Sequence, residues 1–150
     1  MTSIEVGELL YEYSVSMTAV TDFGVSMEAI MAGQAAIPPG GARFDVWFEG
    51  EAKGKIAGNV VGCDYLRLRA DGRFDLDIRA VFTTPEGHKI ALSADGVCIP
   101  SPGSPVAELR ENVALFTSAP EYAWVNPLQI WATGTVDLAE GVVRIKGYRA

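Results

Sequence analysis

Residues Cys63 to Ile90 read CDYLRLRADGRFDLDIRAVFTTPEGHKI. Apolar and polar residues alternate through this stretch, and Ala70-Asp71-Gly72 and Pro85-Glu86-Gly87 interrupt the alternation. Period-two alternation broken by short Gly-containing turns is the pattern of an antiparallel meander with one buried face. In its middle segment Phe74, Leu76, Ile78, Ala80 and Phe82 form one row. Arg73, Asp75, Asp77, Arg79 and Val81 form the other. The pattern predicts that the apolar row meets the core and the charged row meets solvent. The alternative is a polar row lining a lumen, with the apolar row against another layer or subunit.

The same period extends outward from the meander. Leu9, Tyr11, Tyr13, Val15 and Met17 alternate with Glu12, Ser14 and Ser16, which predicts a strand over Leu9–Thr18. Phe44, Val46 and Phe48 alternate with Arg43, Asp45, Trp47 and Glu49, which predicts another. Lys55–Val61 reads as a separate strand bent at Gly54 and Gly58, and Lys89–Ile99 as a strand of small residues. Leu128–Leu138 and Val142–Tyr148 read as a closing hairpin through Ala139-Glu140-Gly141. Leu109–Ser118 fits a strand or a short helix. Asp22–Ala36 is expected to be a loop followed by a strand over Ser26–Ala36, a short helix being the alternative. Pro100–Pro105 (PSPGSP) is a loop that cannot join a sheet interior.

These segments amount to about eight to ten strands, with little helix. Such a chain protects its edges by closing or by stacking two sheets. The expected fold is all-β: a single domain over residues 1–150, built as an antiparallel up-and-down barrel, with a two-sheet sandwich as runner-up.

Composition limits the function. The 150 residues are 49% hydrophobic, enough for one substantial core. A net charge of −7 opposes binding to nucleic acid or to an anionic membrane surface. No apolar run approaches the roughly 20 residues of a membrane-spanning helix. The start, MTSIEVGELL, lacks the basic and apolar regions of a signal peptide, so a cytoplasmic location is expected. Cys63 and Cys98 are expected to be buried reduced thiols. One histidine and no close cysteine pair argue against a structural zinc site, and no phosphate-binding glycine loop occurs. Neither metal nor cofactor is expected.

Two residues break the pattern. Asp64 shares parity with Leu66 and Leu68, so a regular strand would point its carboxyl to the apolar side. A buried carboxyl must be paired or have its pKa raised, and a raised pKa suits a general acid or base. A bulge at Gly62-Cys63 would instead let Asp64 bond main-chain N–H groups at the strand start. Trp47 lies on the charged side of its strand, where an aromatic ring suggests a ligand or a partner.

Taken in order, Gly62-Cys63-Asp64-Tyr65, Asp71-Gly72, Leu76-Asp77-Ile78-Arg79 and Thr84-Pro85-Glu86-Gly87 with Ile90 resemble one family. Phe116-Thr117, Tyr122-Ala123-Trp124-Val125-Asn126, Gly134 and Tyr148 continue the resemblance. It is the group described as domain of unknown function 3237, or uncharacterised protein family 0311, small bacterial and fungal proteins. The resemblance implies a lipocalin-like barrel of about eight strands and no settled activity. Some fungal relatives are associated with cofactor-free ring-forming or stereochemical steps.

The family's polar positions fall on Asp64, Asp77, Arg79, Tyr122, Trp124 and Asn126. Asp64 or Asp77 would move a proton, and Arg79 would pair with Asp77 or clamp a carboxylate or enolate. Tyr122 and Trp124 would stack on a flat ligand, and Asn126 would donate to an oxyanion. Alternatively, Tyr122 to Asn126 form a plug at one barrel end, with Asn126 capping main-chain groups. His88 reads as a turn residue rather than a catalytic base.

Three functions fit. One is a cofactor-independent isomerase, cyclase or lyase acting on a small hydrophobic molecule through Asp64, Asp77 and Arg79. Another is a barrel that holds such a molecule without turnover, through Tyr122, Trp124, Asn126 and Trp47. The third is a structural, oligomeric barrel. A homodimer is expected from common symmetry alone. Convergence of Asp64, Asp77 and Arg79 on one cavity would favour the enzyme.

Overall fold

A computed structural model describes residues 3–150; Met1 and Thr2 of the expected domain lie outside the described residues. Eight antiparallel strands close into a barrel in chain order, each paired with its sequence neighbours and the last with the first. They are β1 (Leu9–Asp22), β2 (Ala42–Gly54), β3 (Gly58–Leu68), β4 (Phe74–Thr83), β5 (Lys89–Pro100), β6 (Val106–Phe116), β7 (Ile130–Asp137) and β8 (Val142–Arg149). The barrel is therefore up-and-down, and the sandwich is excluded.

The alternating rows sort as the period requires. Phe74, Leu76, Ile78, Ala80 and Phe82 are all buried, while Asp77, Arg79 and Val81 face out. Each fully buried Leu, Ile or Phe contributes roughly 1.5–3 kcal/mol, so these rows set which way every strand turns.

Four local readings need correction. Ser26–Ala36 is not a strand: Met27–Met31 form a short helix, α1, whose Ser26 Oγ accepts the N–H of Ala29 at 3.0 Å. A side-chain cap of this kind satisfies one of the free N–H groups of a helix start. Leu109–Ser118 is strand and begins earlier, at Val106. The strand read over Lys55–Val61 begins only at Gly58, after a break at residues 55–57, and continues through Gly62 into the segment from Cys63 as one strand, β3. There is no bulge at Gly62-Cys63, because both neighbouring ladders keep constant register from Gly62 to Asp64. Asp64 consequently faces inward.

The two barrel ends differ. At one end Pro120–Val125 form a turn of 3-10 helix that seats Val125 in the core and packs Tyr122 and Trp124 against it. Asn126 fastens this plug: its Oδ1 accepts the N–H of Thr117 at 2.8 Å and its Nδ2 donates to the Thr117 carbonyl at 2.9 Å. The Thr117 hydroxyl donates in turn to the Lys89 carbonyl at 2.8 Å. Tyr11, Ile56, Val60, Phe82 and Ile90 fill the interior behind the plug. At the other end α1, the end of β5 and the β7–β8 turn surround an opening.

Candidate functional site

The lumen opens beside Met27 and Met31 of α1, Pro100 and Leu138. Its walls are apolar, with Met17, Val46, Phe48, Leu66, Leu76, Leu109 and Val136 among them. The space open to the centre of a water molecule is about 70 Å³. That volume holds a few waters, and a ring-sized ligand would extend from it into the opening beside α1. Tyr13 forms the inner limit. Its ring lies parallel to Tyr11, centroids 5.9 Å apart, and both meet Phe82 edge-on.

Two carboxyls enter this apolar space, Asp64 from β3 and Glu111 from β6. Glu111 is only 4% exposed, and neither of its carboxyl oxygens has a hydrogen-bond partner. Its place follows from small neighbours. The register sets Glu111 between Gly96 of β5 and Ala132 of β7, and Ala132 beside Gly147 of β8. The Tyr11 ring lies directly on Gly147 and leaves no room there for a Cβ. The small side chains along this row leave the interior to the Tyr11 ring and the Glu111 carboxyl.

Asp64 accepts a hydrogen bond at 3.0 Å from the main-chain N–H of Asp77. The β3–β4 ladder skips two pairs here and resumes at Arg67–Asp75 in unchanged register. The carboxyl thus takes an N–H within the interrupted stretch of the ladder.

Burial raises the pKa of both acids. Asp64 is pushed up to about 7, mainly by desolvation; the Asp77 N–H offsets part of this and the Asp77 charge adds to it. Glu111 is pushed up to about 8 by desolvation and by the charge of Asp64. Burial and the Glu111 charge hold the phenols of Tyr11 and Tyr13 well above their ordinary value. Cys98 lines the same space, and its thiol is pushed up to about 11, chiefly by burial. Burial thus brings both acids toward neutrality, with Glu111 the harder to ionise, so the two can share a single proton there, the arrangement that acid–base catalysis uses.

Asp64 is the residue among those singled out in the sequence that faces the lumen. Asp77 and Arg79 pair with each other at 3.1 Å on the outer surface, and Arg79 also donates to Ser93 Oγ at 2.8 Å. Asp64, Asp77 and Arg79, whose convergence on one cavity would have favoured an enzyme, do not converge, because the barrel wall separates the first from the other two. Trp47 is outside as well, edge-on to Tyr65, whose ring with that of Phe23 flanks Arg43. Tyr122, Trp124 and Asn126 belong to the plug, at the end opposite the opening. His88 lies beside them, its Nε2 3.6 Å from Glu121 and its ring 5.9 Å from that of Tyr122. Cys63 sits in the outward row and Cys98 in the lumen, and both are free thiols.

Glu111 is the residue that sequence reasoning missed. Ala107, Leu109, Glu111, Val113 and Leu115 form one inward row. A single acid in that row is the same signal that marked Asp64, hidden while the segment was open to a helical reading. Among the described residues no cluster of three or more His, Cys, Asp or Glu side chains is placed to hold a metal. Among the described residues no helix is long and apolar enough to cross a membrane.

The comparisons with known proteins agree on the architecture. The family described as "Protein of unknown function (DUF3237)" matches residues 16–150. No curated protein matches the chain. A β-barrel-like protein from Acinetobacter baumannii is 21% identical, with a TM-score of 0.73 over 99% of this chain and 97% of the other. A conserved protein of unknown function from Rhodopseudomonas palustris is 19% identical, with a TM-score of 0.76 over 99% of both chains. An enzyme from Penicillium herquei is 18% identical, with a TM-score of 0.61 over 99% of this chain and 98% of the other. At these identities the likeness is one of fold.

Proposed function

The chain belongs to the DUF3237 family of proteins of unknown function, and we propose that it is a cofactor-independent enzyme that shifts a proton on one small apolar molecule held in the lumen. The observation that carries this reading is the pair of carboxyls in an otherwise apolar lumen, one of them without any hydrogen-bond partner. A barrel that only stored an apolar ligand would gain nothing from them, since desolvating an acid weakens the fold. Groups held at a cost to stability are a recurrent mark of active sites. The fold is compatible with catalysis, since the similar barrel from Penicillium herquei is described as an enzyme.

In the proposed reaction, ionised Asp64 removes a proton from the substrate while Glu111 delivers one to another atom. The Asp77 N–H holds the Asp64 oxygen in place, and the apolar wall keeps bulk water from the reacting atoms. The net change is an isomerisation or a ring closure with no change in oxidation state. The turnover leaves Asp64 protonated and Glu111 ionised, and proton exchange through the opening restores both. A positioned base or acid contributes about 10²–10⁴-fold in rate.

The test is hydrogen exchange into 2-indanone in deuterated buffer, followed by proton NMR. The protein should accelerate exchange at the carbons beside the carbonyl, and Asp64→Asn should remove about 10²-fold or more of that acceleration. Binding of 2-indanone without any acceleration would favour the second reading, a non-catalytic carrier, which the apolar wall alone supports.

A further inference from the structure

We infer that the lumen selects an uncharged molecule bearing an oxygen acceptor, such as a ketone, and rejects carboxylates and other anions. The inference rests on the lumen being the working site.

The chemistry of the wall carries it. Among the described residues, no lysine, arginine or histidine lines the lumen. An anionic ligand would therefore enter an apolar space with no counter-charge, beside two acids. Burying an unpaired charge is strongly unfavourable. Arg79, read from the sequence as pairing with Asp77 or as clamping a carboxylate or enolate, pairs with Asp77 on the other side of the wall. Other titratable groups facing Glu111 or its surroundings are Tyr11 and Tyr13 from β1, Asp64 from β3 and Cys98 from β5. The Asp77 charge acts from outside the wall. The lining of β2, β7 and β8 is Val46, Phe48, Val136 and Val143, with no charge. When protonated, Glu111 is a hydrogen-bond donor without a partner. A ligand oxygen supplies that partner and removes the mismatch of a buried, unbonded polar group.

Dependence on pH follows from the same geometry. An acceptor ligand binds the protonated form of Glu111, so its affinity should fall as that acid ionises, above pH of about 8. A carboxamide keeps the donor and removes the titration.

The lumen carries its own reporters, because Met17, Met27 and Met31 all line it. The protein with ¹³C-methyl methionine is titrated with acetophenone and benzoate, and the methyl shifts give Kd for each. Acetophenone should bind at least about 10-fold tighter than benzoate at pH 7, the factor expected from roughly 1.4 kcal/mol. Its Kd should rise about 10-fold or more between pH 6.5 and pH 9.5 in the natural protein and stay level in Glu111→Gln. Glu111→Leu should bind acetophenone more weakly than Glu111→Gln at every pH. Benzoate binding as tightly as acetophenone overturns the inference, and so does a level pH profile in the natural protein. Either result leaves the lumen as a binding site. If neither probe moves the methionine signals, the inference and the proposed function fall together.

Discussion

The main-chain N–H of Asp77 donates to the carboxyl of Asp64 at 3.0 Å, while the Asp77 side chain pairs with Arg79 on the outer surface. One residue thus contributes to the lumen with its backbone and to the exterior with its charge. The lumen acid is held by a group that no side-chain substitution at position 77 removes, except one to proline. Two acids thirteen positions apart in sequence are neighbours across a strand pair but occupy opposite sides of the wall.

Asp77→Asn and Arg79→Gln should therefore be mild. Both side chains are about half exposed, and exposed ion pairs contribute roughly 0–1 kcal/mol. Urea unfolding of each variant should agree with the natural protein within ~1 kcal/mol. A loss of several kcal/mol would show that the outer pair is part of the scaffold.

Stability should decline as pH rises through neutrality. An acid whose folded pKa lies above its unfolded value binds more protons when folded, so stability falls across the interval between the two. For Asp64 the interval runs from its ordinary 3.8 to about 7. For Glu111 it runs from 4.5 to about 8. Urea unfolding should show a loss of several kcal/mol, up to about 6, between pH 5 and pH 8.5. The combined variant Asp64→Asn with Glu111→Gln should flatten the profile. A profile already flat in the natural protein would mean that the two acids are well solvated.

Glu111→Leu should stabilise the barrel at pH 8.5 by about 1–3 kcal/mol, because an apolar side chain replaces a buried acid with no partner. The same variant should lose the proton exchange into 2-indanone. Destabilisation instead would assign Glu111 to the scaffold and count against a catalytic role.

Asn126→Ala should destabilise by ~1–3 kcal/mol, since it strips two partners from the main chain of Thr117. Binding of acetophenone in the lumen should persist, because the plug lies at the far end. Loss of binding in a variant that remains folded would show that the two ends are coupled.

Gly147→Ala should weaken the fold by ~1–3 kcal/mol through overpacking, because its methyl group meets the Tyr11 ring. Parallel stacking on Tyr13 and the edge of Phe82 leave that ring little room to move. A loss under ~0.5 kcal/mol, read by thermal unfolding, would show that the ring is free to shift.

Local periodicity determined most of the architecture. A strand exposes alternate residues to opposite sides, so the rows beginning Phe44, Phe74 and Tyr11 could be assigned to strands, and sorted into apolar and polar faces, before any fold was known; Leu9, read with the Tyr11 row, is exposed instead, because the register shifts between Leu9 and Tyr11 and Leu10 is buried in its place. Asp64 was legible for the same reason, as an acid out of phase with its strand. Short segments were less so. Met27–Met31 is too brief for a helical period to stand out, and its helix depends on the Ser26 cap and on covering the lumen opening.

Other features arise only on closure. Parity says which side of its own strand a residue takes, but not which residues from distant strands share the enclosed space. Asp64 and Glu111 are 47 positions apart, with β4 and β5 between their strands, and only the closed sheet brings both to one lumen. The same closure leaves Asp77 and Arg79 outside, seats Tyr122 to Asn126 in the plug, and opens the lumen at the end under α1. Periodicity favoured a barrel over a two-sheet sandwich and marked Asp64 as an acid out of phase, with a bulge at Gly62-Cys63 as the other reading. The second acid, its missing partners and the absence of a cation among the described lining residues were decided by tertiary structure, because they depend on the register of strands that are not neighbours in the chain.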